Sequence, residues 1–475
     1  MSEVLHAGAA ERVITPPVGA VMVGWATRAA GDALARAVRD DLYAKALVLR
    51  RGDESWALLA TDLVGVDAVA VAQIREGAAA RTGLRAEAIL VSATHCHSGP
   101  AICPVGSASS RQDLTQGTVQ ADGSLASSYG QASATVVSEV FFEGDTDEDW
   151  KQGFIEQAIE AVVEAWNRLT PAAVGFGHAE VEGVASSRRV LLSDGSWADP
   201  RRDMPPDVKV VSRTEIDPLV RVMMVRDQET QAPLAAVVNY GSHPWIFSIS
   251  EYSAELPGAT AKKVAAQWRS PEAEPPIVLY TAGPEGDVTL IWSVDVENVW
   301  KTHPGEDPQQ SLARRERGFD SELERLSTRL SNGVIQAITS NGDWDAEPEL
   351  QVRRREVLLP LKPGYASDPC IPMAAWQKAP AAGTHRTEVQ LLRVGEGAFL
   401  ALPGEPFVSL GMAMRADSPY RHLLITALSN DFGGVSYIAP REDYEVGGYE
   451  LAHTGIAPGA GEELVREAAA LLNEA

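Results

Sequence analysis

An α/β fold is what this sequence predicts, and three observations predict it. Apolar runs of strand length flank a segment of helical spacing between residues 42 and 91, the pattern of a sheet covered by helices. Five such runs along the chain stop at His, Asp, Glu or Asn, and ligands of open α/β sheets bind at the carboxyl ends of strands. The stretch 145–169 carries the strongest helical pattern of the chain. Coincidence supplies one or two polar strand endings. Five point to one organised site.

Taken in order, residues 1–41 hold scattered Gly and Pro, and 42–49 (LYAKALVL) then reads as a strand. A second apolar run, 56–60 (WALLA), ends at Thr61-Asp62, and 68–82 has helical spacing. Next comes 88–100 (AILVSATHCHSGP). It opens as an apolar run too short for a helix and ends in a polar, turn-forming cluster. Residues 103–144 are Ser-, Gly- and Gln-rich in their first part and have no period. A loop of that length inside a domain is functional or disordered, and its origin beside His95 and His97 favours a lid. Segment 145–169 has acidic residues in its first turn, apolar positions at Phe154, Ile155, Ile159, Val162, Val163 and Trp166, and Pro171 just beyond. Those are the marks of a helix and its ends.

Further on, 233–240 (PLAAVVNY) breaks at Ser242-His243-Pro244, and 276–280 breaks into a segment holding Glu285 and Asp287. Segment 398–402 breaks at Pro403-Gly404-Glu405-Pro406, and 423–428 breaks at Asn430-Asp431. Between these lies 311–338, charged and helical, a helix or helix pair on the outer face, and 461–475 closes the chain as an amphipathic helix. No internal repeat and no Gly/Ser linker divides the chain, so 1–475 reads as a single domain.

Composition narrows the partners. At 475 residues, 45% apolar and 22% charged, the chain has the make-up of a globular enzyme. Forty-one basic against 65 acidic residues leave −24, which disfavours nucleic acid and anionic membranes. No run approaches the roughly 18–20 apolar residues of a membrane span. The start has neither a basic n-region nor an apolar h-region, and a cytoplasmic location is the expectation. Three cysteines, Cys96, Cys103 and Cys370, make no disulfide framework. The expected partner is a small-molecule substrate, without stable membrane association; a homo-oligomer is compatible with the sequence.

The chemistry lies in the strand endings. In an extended backbone, residues two apart project to one side, so His95 and His97 face one site together. Imidazole is a metal ligand and a proton carrier near neutral pH. His-x-His alone fits a pair of satisfied histidines equally well. A divalent-metal hydrolase needs three or four N/O ligands and one position for water, and His95, His243 and Glu405 form such a set. His6, His178, His303, His385, His422 and His453 are scattered singly and read as surface or satisfied histidines.

Thr94-His95-Cys96-His97-Ser98-Gly99-Pro100 resembles the Thr-His-x-His-Ser-Gly-Pro signature of the neutral/alkaline non-lysosomal ceramidases. Further motifs follow in the order of that family: Ala7 to Pro16 with Met22-Val23-Gly24-Trp25, Ser187-Arg188-Arg189, Ser242-His243-Pro244, Ser253-Ala254-Glu255-Leu256-Pro257-Gly258, Gly286-Asp287-Val288-Thr289-Leu290, Pro403-Gly404-Glu405, Asn430-Asp431 through Tyr437-Ile438, and Tyr449-Glu450. The resemblance implies a ceramidase-like catalytic domain, mixed β-sheets flanked by helices, without the family's C-terminal β-sandwich. It implies a Zn2+ held by His95, His243, Glu405 and Tyr437, with His97, Arg188 and Tyr449 polarising the substrate carbonyl. Asp287 and Thr289 join the catalytic set; Thr289 stands where the family has serine and keeps a hydroxyl. Arg189 competes with Arg188 for the inward position. The implied activity is zinc-dependent hydrolysis of an amide by metal-activated water. Ester or lactone hydrolysis and ketone isomerisation are the alternatives, followed by a non-catalytic binding relative.

Overall fold

Strands that read as unbroken apolar runs must be covered on both faces, and the chain does this in four layers. The computed structural model describes residues 4–22, 34–100, 102, 148–200, 207–246, 250–291, 308–340, 342–362, 383–432, 435–452 and 454–474. The expected lid at 103–144 lies outside the described residues, as do Val23-Gly24-Trp25, His303, Cys370 and His453.

The larger sheet has eight strands, in the order Ile277–Ala282, Pro233–Tyr240, Leu219–Asp227, Thr170–Glu180, His6–Val13, Tyr43–Arg51, Glu54–Thr61, Ile89–Ala93. Its inner pairs are antiparallel and the outermost pair at each end is parallel. The expected mixed α/β architecture is thus present. Helices Ala68–Arg81 and Glu148–Asn167 cover one half of one face, packing on Ala46, Val48, Leu59 and Val91. Helices Glu255–Gln267 and Pro308–Thr339 cover the other half, packing on Val222, Met224, Ala236 and Val238. The alternate residues of the same strands, Leu47, Leu58, Leu90, Met223 and Val237, meet a second sheet through Leu392, Phe399 and Leu424. That sheet runs Leu350–Pro360, Thr384–Val394, Gly397–Ala401, His422–Thr426. Its far face, with Leu391, Leu400 and Ile425, carries helices Val408–Ala416 and Ala460–Asn473.

One connection ties the two edges of the large sheet together. The two outermost strands of the large sheet converge on the segment 427–430. Ala427 N–H donates to Ala282 O (2.9 Å), and Leu428 O accepts from Ala93 N–H (3.2 Å). Asn430 locks the second contact, donating N–H to Val91 O (2.8 Å) and accepting Val91 N–H on Oδ1 (3.0 Å). Leu428 (φ 52°) and Asn430 (φ 63°) are left-handed here, a backbone that costs non-glycine residues roughly 1–2 kcal/mol each. This seam brings the polar ends of opposite sheet edges together.

The apolar strands fall where the sequence places them, and 311–338 belongs to a single helix, Pro308–Thr339. Three features escape the sequence. His6–Val13 and Thr170–Glu180 are central strands without an apolar run, because helices lie directly on their glycines. A Cβ on Gly8 would come 2.1 Å from Ala165 O, and one on Gly177 2.0 Å from Ala337 O. Leu350–Pro360 holds Arg353, Arg354 and Arg355 because it is an edge strand with a solvated side.

Asp62 closes the Glu54–Thr61 strand, accepting the Tyr43 N–H on Oδ2 (3.0 Å). Burial pushes its pKa up to about 6, against the pull of Lys45 and the Tyr43 amide. With the folded pKa above the unfolded one, the folded state holds the extra proton. This contribution is therefore complete below about pH 4 and is lost as pH rises through about 6, a change of roughly 3 kcal/mol. Asp62→Asn keeps an acceptor for Tyr43 and should gain that much on the parent between pH 4 and pH 7 in urea titrations. Parallel stability curves for the two proteins would refute it.

Candidate active site

His95 reaches the site by a route the sequence does not reveal. The Ile89–Ala93 strand has already ended, and His95 sits at φ 64°, so the side-by-side placement expected from an extended backbone is not what occurs. Thr94 N–H donates to Thr61 O (2.9 Å) and Cys96 N–H to Leu63 O (3.0 Å), holding the segment alongside residues 61–63. This path still brings the rings of His95 and His97 to 4.6 Å between centroids.

His243 arrives from the opposite side of the sheet, after Pro233–Tyr240, with its ring 4.7 Å from that of His95. Each of the two rings has its Nδ1 turned to backbone carbonyls: His95 to Val64 O (2.8 Å), His243 to Glu285 O (2.9 Å) and Val288 O (3.0 Å). A carbonyl accepts only from N–H, so Nδ1 carries the proton and Nε2 offers a lone pair. Glu405 Oε2 lies 3.0 Å from His243 Nε2 and 3.5 Å from His95 Nε2. Glu405 pairs in register with Tyr437 in a two-residue parallel bridge, which sets the Tyr437 ring 6.2 Å from that of His243. Close packing requires Gly286 behind Glu405, since a Cβ there would meet Glu405 O at 2.4 Å.

Both candidate arginines are buried, in different surroundings. Arg188 lies over the rings of Tyr437 (5.2 Å) and Tyr449 (5.7 Å), with Nε 2.7 Å from Glu450 Oε1 and Nη2 donating to Gly286 O. Arg189 lies over Phe407 and is held by Asp443 (3.0 Å), Glu450 (3.1 Å) and Gly447 O (2.8 Å). Arg188 is therefore the guanidinium beside the tyrosines. Asp287 accepts the Val408 N–H (2.9 Å), and so holds the start of the Val408–Ala416 helix, while its carbonyl accepts Arg188 N–H (3.0 Å). Thr289 stands opposite Ser186 in the short pairing of Val288–Leu290 with Ala185–Ser187.

The buried histidines could hold a metal ion. Burial, then the neighbouring His97 and Arg188, hold the His95 pKa well below the usual imidazole range, so the ring is in its neutral, ligating form. Its Nε2 is buried and makes no hydrogen bond among the described residues. Burial pushes Glu405 up to about 8, although Arg188 and the Tyr437 hydroxyl pull it down. A divalent cation beside the carboxyl would restore the anion. Nitrogens of His95, His97 and His243 lie within 4.8 Å of one another, so distance alone admits His97 as a third imidazole. These residues fit a first-row metal. Burial lowers the Arg188 pKa, but Tyr437, Glu450 and Glu405 outweigh it and keep the guanidinium charged.

Two buried carboxyls carry no assigned role in the sequence reading, although Glu450 stands in the Tyr449-Glu450 motif. Glu450 is shared by both arginines. Glu285 has both oxygens buried without a hydrogen-bond partner among the described residues, and burial, with Glu405 next, raises its pKa well above the carboxylate range. Glu285 belongs to one of the strand endings, which was its only signal. Of the histidines set aside, His385 is buried against Asp431 (2.6 Å), His422 stacks on Phe176, and His178 is exposed.

No family model matches the chain, and no curated protein matches it. Solved structures do. The crystal structure of neutral ceramidase from Pseudomonas aeruginosa superposes with a TM-score of 0.69 at 15% identity, over 99% of this chain and 74% of that one. A ceramidase complexed with C2 superposes at 0.67 and 15% identity, over 99% of this chain and 75% of that one. At these TM-scores and coverages this chain has the overall fold of those ceramidase structures.

Proposed function

We propose that this chain is a zinc-dependent hydrolase of an amide bond in a small, water-soluble substrate. The observation that carries the proposal is the meeting of His95, His243 and Glu405 next to Arg188, which itself lies over Tyr437 and Tyr449. Two imidazoles and a carboxylate are a recurrent catalytic zinc set. The ceramidases that share this fold add support, since ceramide is an amide. A divalent ion at this place would supply Lewis acidity and an acidified water.

The chain's own groups do the rest. The backbone carbonyls on Nδ1 fix the tautomer and direction of His95 and His243, leaving Nε2 for the ion. Glu405 adds the anionic ligand and Tyr437 a phenol oxygen. His97, Arg188 and Tyr449 hold the carbonyl and donate to the charge that develops on its oxygen. Stabilising that charge is commonly the main source of acceleration in acyl transfer. Glu450 keeps Arg188 in place; Asp287 and Thr289 support the loop that carries Glu405's neighbour Gly286.

Ceramide itself is a poor match for this reading. A lipid-cleaving surface is commonly apolar or basic, whereas this chain has a net charge of −24 and a Ser-, Gly- and Gln-rich stretch directly after the His cluster. Among the described residues no helix is long and apolar enough to cross a membrane. Short N-acyl amines and N-acyl amino acids should be turned over faster than a long-chain ceramide in detergent. An ester and a lactone in the same panel test the choice of amide. Ceramide turnover equal to the best soluble compound would overturn the substrate class.

A further inference from the structure

We infer that Glu255 is a positioning residue that holds the two histidine-bearing loops at a fixed separation. Its carboxylate gathers donors from both. Oε2 accepts the His97 N–H (3.0 Å), and Oε1 accepts the Ser98 hydroxyl (3.0 Å) and the Ile246 N–H (3.2 Å). His97 and Ser98 belong to the loop of His95, and Ile246 to the loop of His243. One buried side chain, 1% exposed, therefore spans segments that come from opposite sides of the large sheet.

Its own backbone is secured from several sides. Glu255 N–H donates to Ser253 Oγ (3.0 Å), and that hydroxyl donates to Asp40 Oδ2 (2.7 Å). Asp40 Oδ1 accepts the Ala254 N–H (2.7 Å). Ser253 N–H donates to Ser98 O (3.1 Å), and the Cys96 thiol to Ser253 O (2.8 Å). Held in this way, Glu255 sits at φ 47°, a left-handed conformation that a non-glycine residue keeps only where its surroundings over-determine it. The strain is the cost of starting the Glu255–Gln267 helix with this carboxylate aimed back at the loops.

The chemistry asks for a carboxylate. Three donors converge on two oxygens, and an ionised carboxylate accepts at both. A glutamine would keep one oxygen and turn an NH2 group against either the His97 N–H or the Ile246 N–H. An aspartate falls one methylene short. The consequence for catalysis rests on the proposed role of His97, because a donor displaced by about 1 Å can cost on the order of 10²-fold in rate.

Glu255→Gln, Ser98→Ala and His97→Ala test this side by side on the metal-loaded full chain. The measurements are kcat, KM, and the visible spectrum of the cobalt-substituted protein. Glu255→Gln, folded by circular dichroism, should lose about tenfold or more in kcat with KM within about threefold of the parent. Its cobalt spectrum should change, which a purely structural role would not cause. Ser98→Ala should move in the same direction by less. A folded Glu255→Gln with the parent's kcat and cobalt spectrum, while His97→Ala is impaired, would overturn the inference alone. If Glu255→Gln does not fold, an unaltered kcat in Ser98→Ala overturns it. If His97→Ala keeps full kcat, the active-site reading fails instead, and the cobalt spectrum of Glu255→Gln then decides the loop coupling.

Discussion

His243→Ala, purified beside the parent without chelator, should contain almost no zinc. The His243 imidazole has its Nε2 3.0 Å from Glu405 Oε2 and its Nδ1 on two carbonyls. Removing it deletes one proposed ligand and leaves Glu405, already lifted to about 8 by burial, beside one imidazole fewer. The neutral acid then competes with the ion for that carboxyl. Loss of an outer partner of a ligand costs roughly 10–100-fold in metal affinity, and loss of the ligand itself should exceed that. A second readout is independent of activity. An ion bound 1,000-fold above its Kd adds about 4 kcal/mol of folding stability, so chelator should lower the melting temperature of the parent and leave His243→Ala unmoved. Stoichiometric zinc in the variant would mean that the ion sits elsewhere.

How far the sequence reveals such a site depends on what each residue must satisfy. Strands buried on both faces, such as Pro233–Tyr240 and Ile89–Ala93, are legible because both faces need apolar side chains. The strand endings are legible because His243, Glu405 and Asn430 interrupt those runs abruptly. Strands under close helix contact are silent: Gly8 and Gly177 are chosen for the space they leave, and glycine reads as a turn. Tyr437 is silent for another reason. A phenol between Ser436 and Ile438 looks like any core aromatic, and only the resemblance singles it out. Glu255 and Glu450 stand inside quoted motifs and Glu285 at a strand ending, but their burial and choice of partners are not encoded in local pattern. Segment 427–430, which joins the sheet edges, is set by long-range pairing with Ala282 and Ala93, so no window of neighbouring residues could reveal it.

His97→Ala separates binding from chemistry, and should keep its zinc while losing about 10²-fold or more in kcat. His97 is the half-buried member of the three histidines, while His95 and His243 are the two that flank Glu405 Oε2. Its backbone is held by Glu255, and the proposed function gives its ring the role of a donor beside the ligands. A single preorganised donor to a developing oxyanion is worth about 10²–10³ in kcat, and a loss confined to the transition state lowers kcat and kcat/KM together. Arg188→Ala should follow the same pattern, because its guanidinium stands over Tyr437 and Tyr449. Arg189→Ala should instead weaken folding, since Arg189 is pinned to Asp443, Glu450 and Gly447, and a buried Glu450 would lose one of its two cations. Zinc content, steady-state kinetics and melting temperature on the three variants read these apart. Loss of zinc from His97→Ala would place that imidazole in the coordination sphere, a position its distance from the other two nitrogens also permits. The carbonyl would then be left to Arg188 and Tyr449.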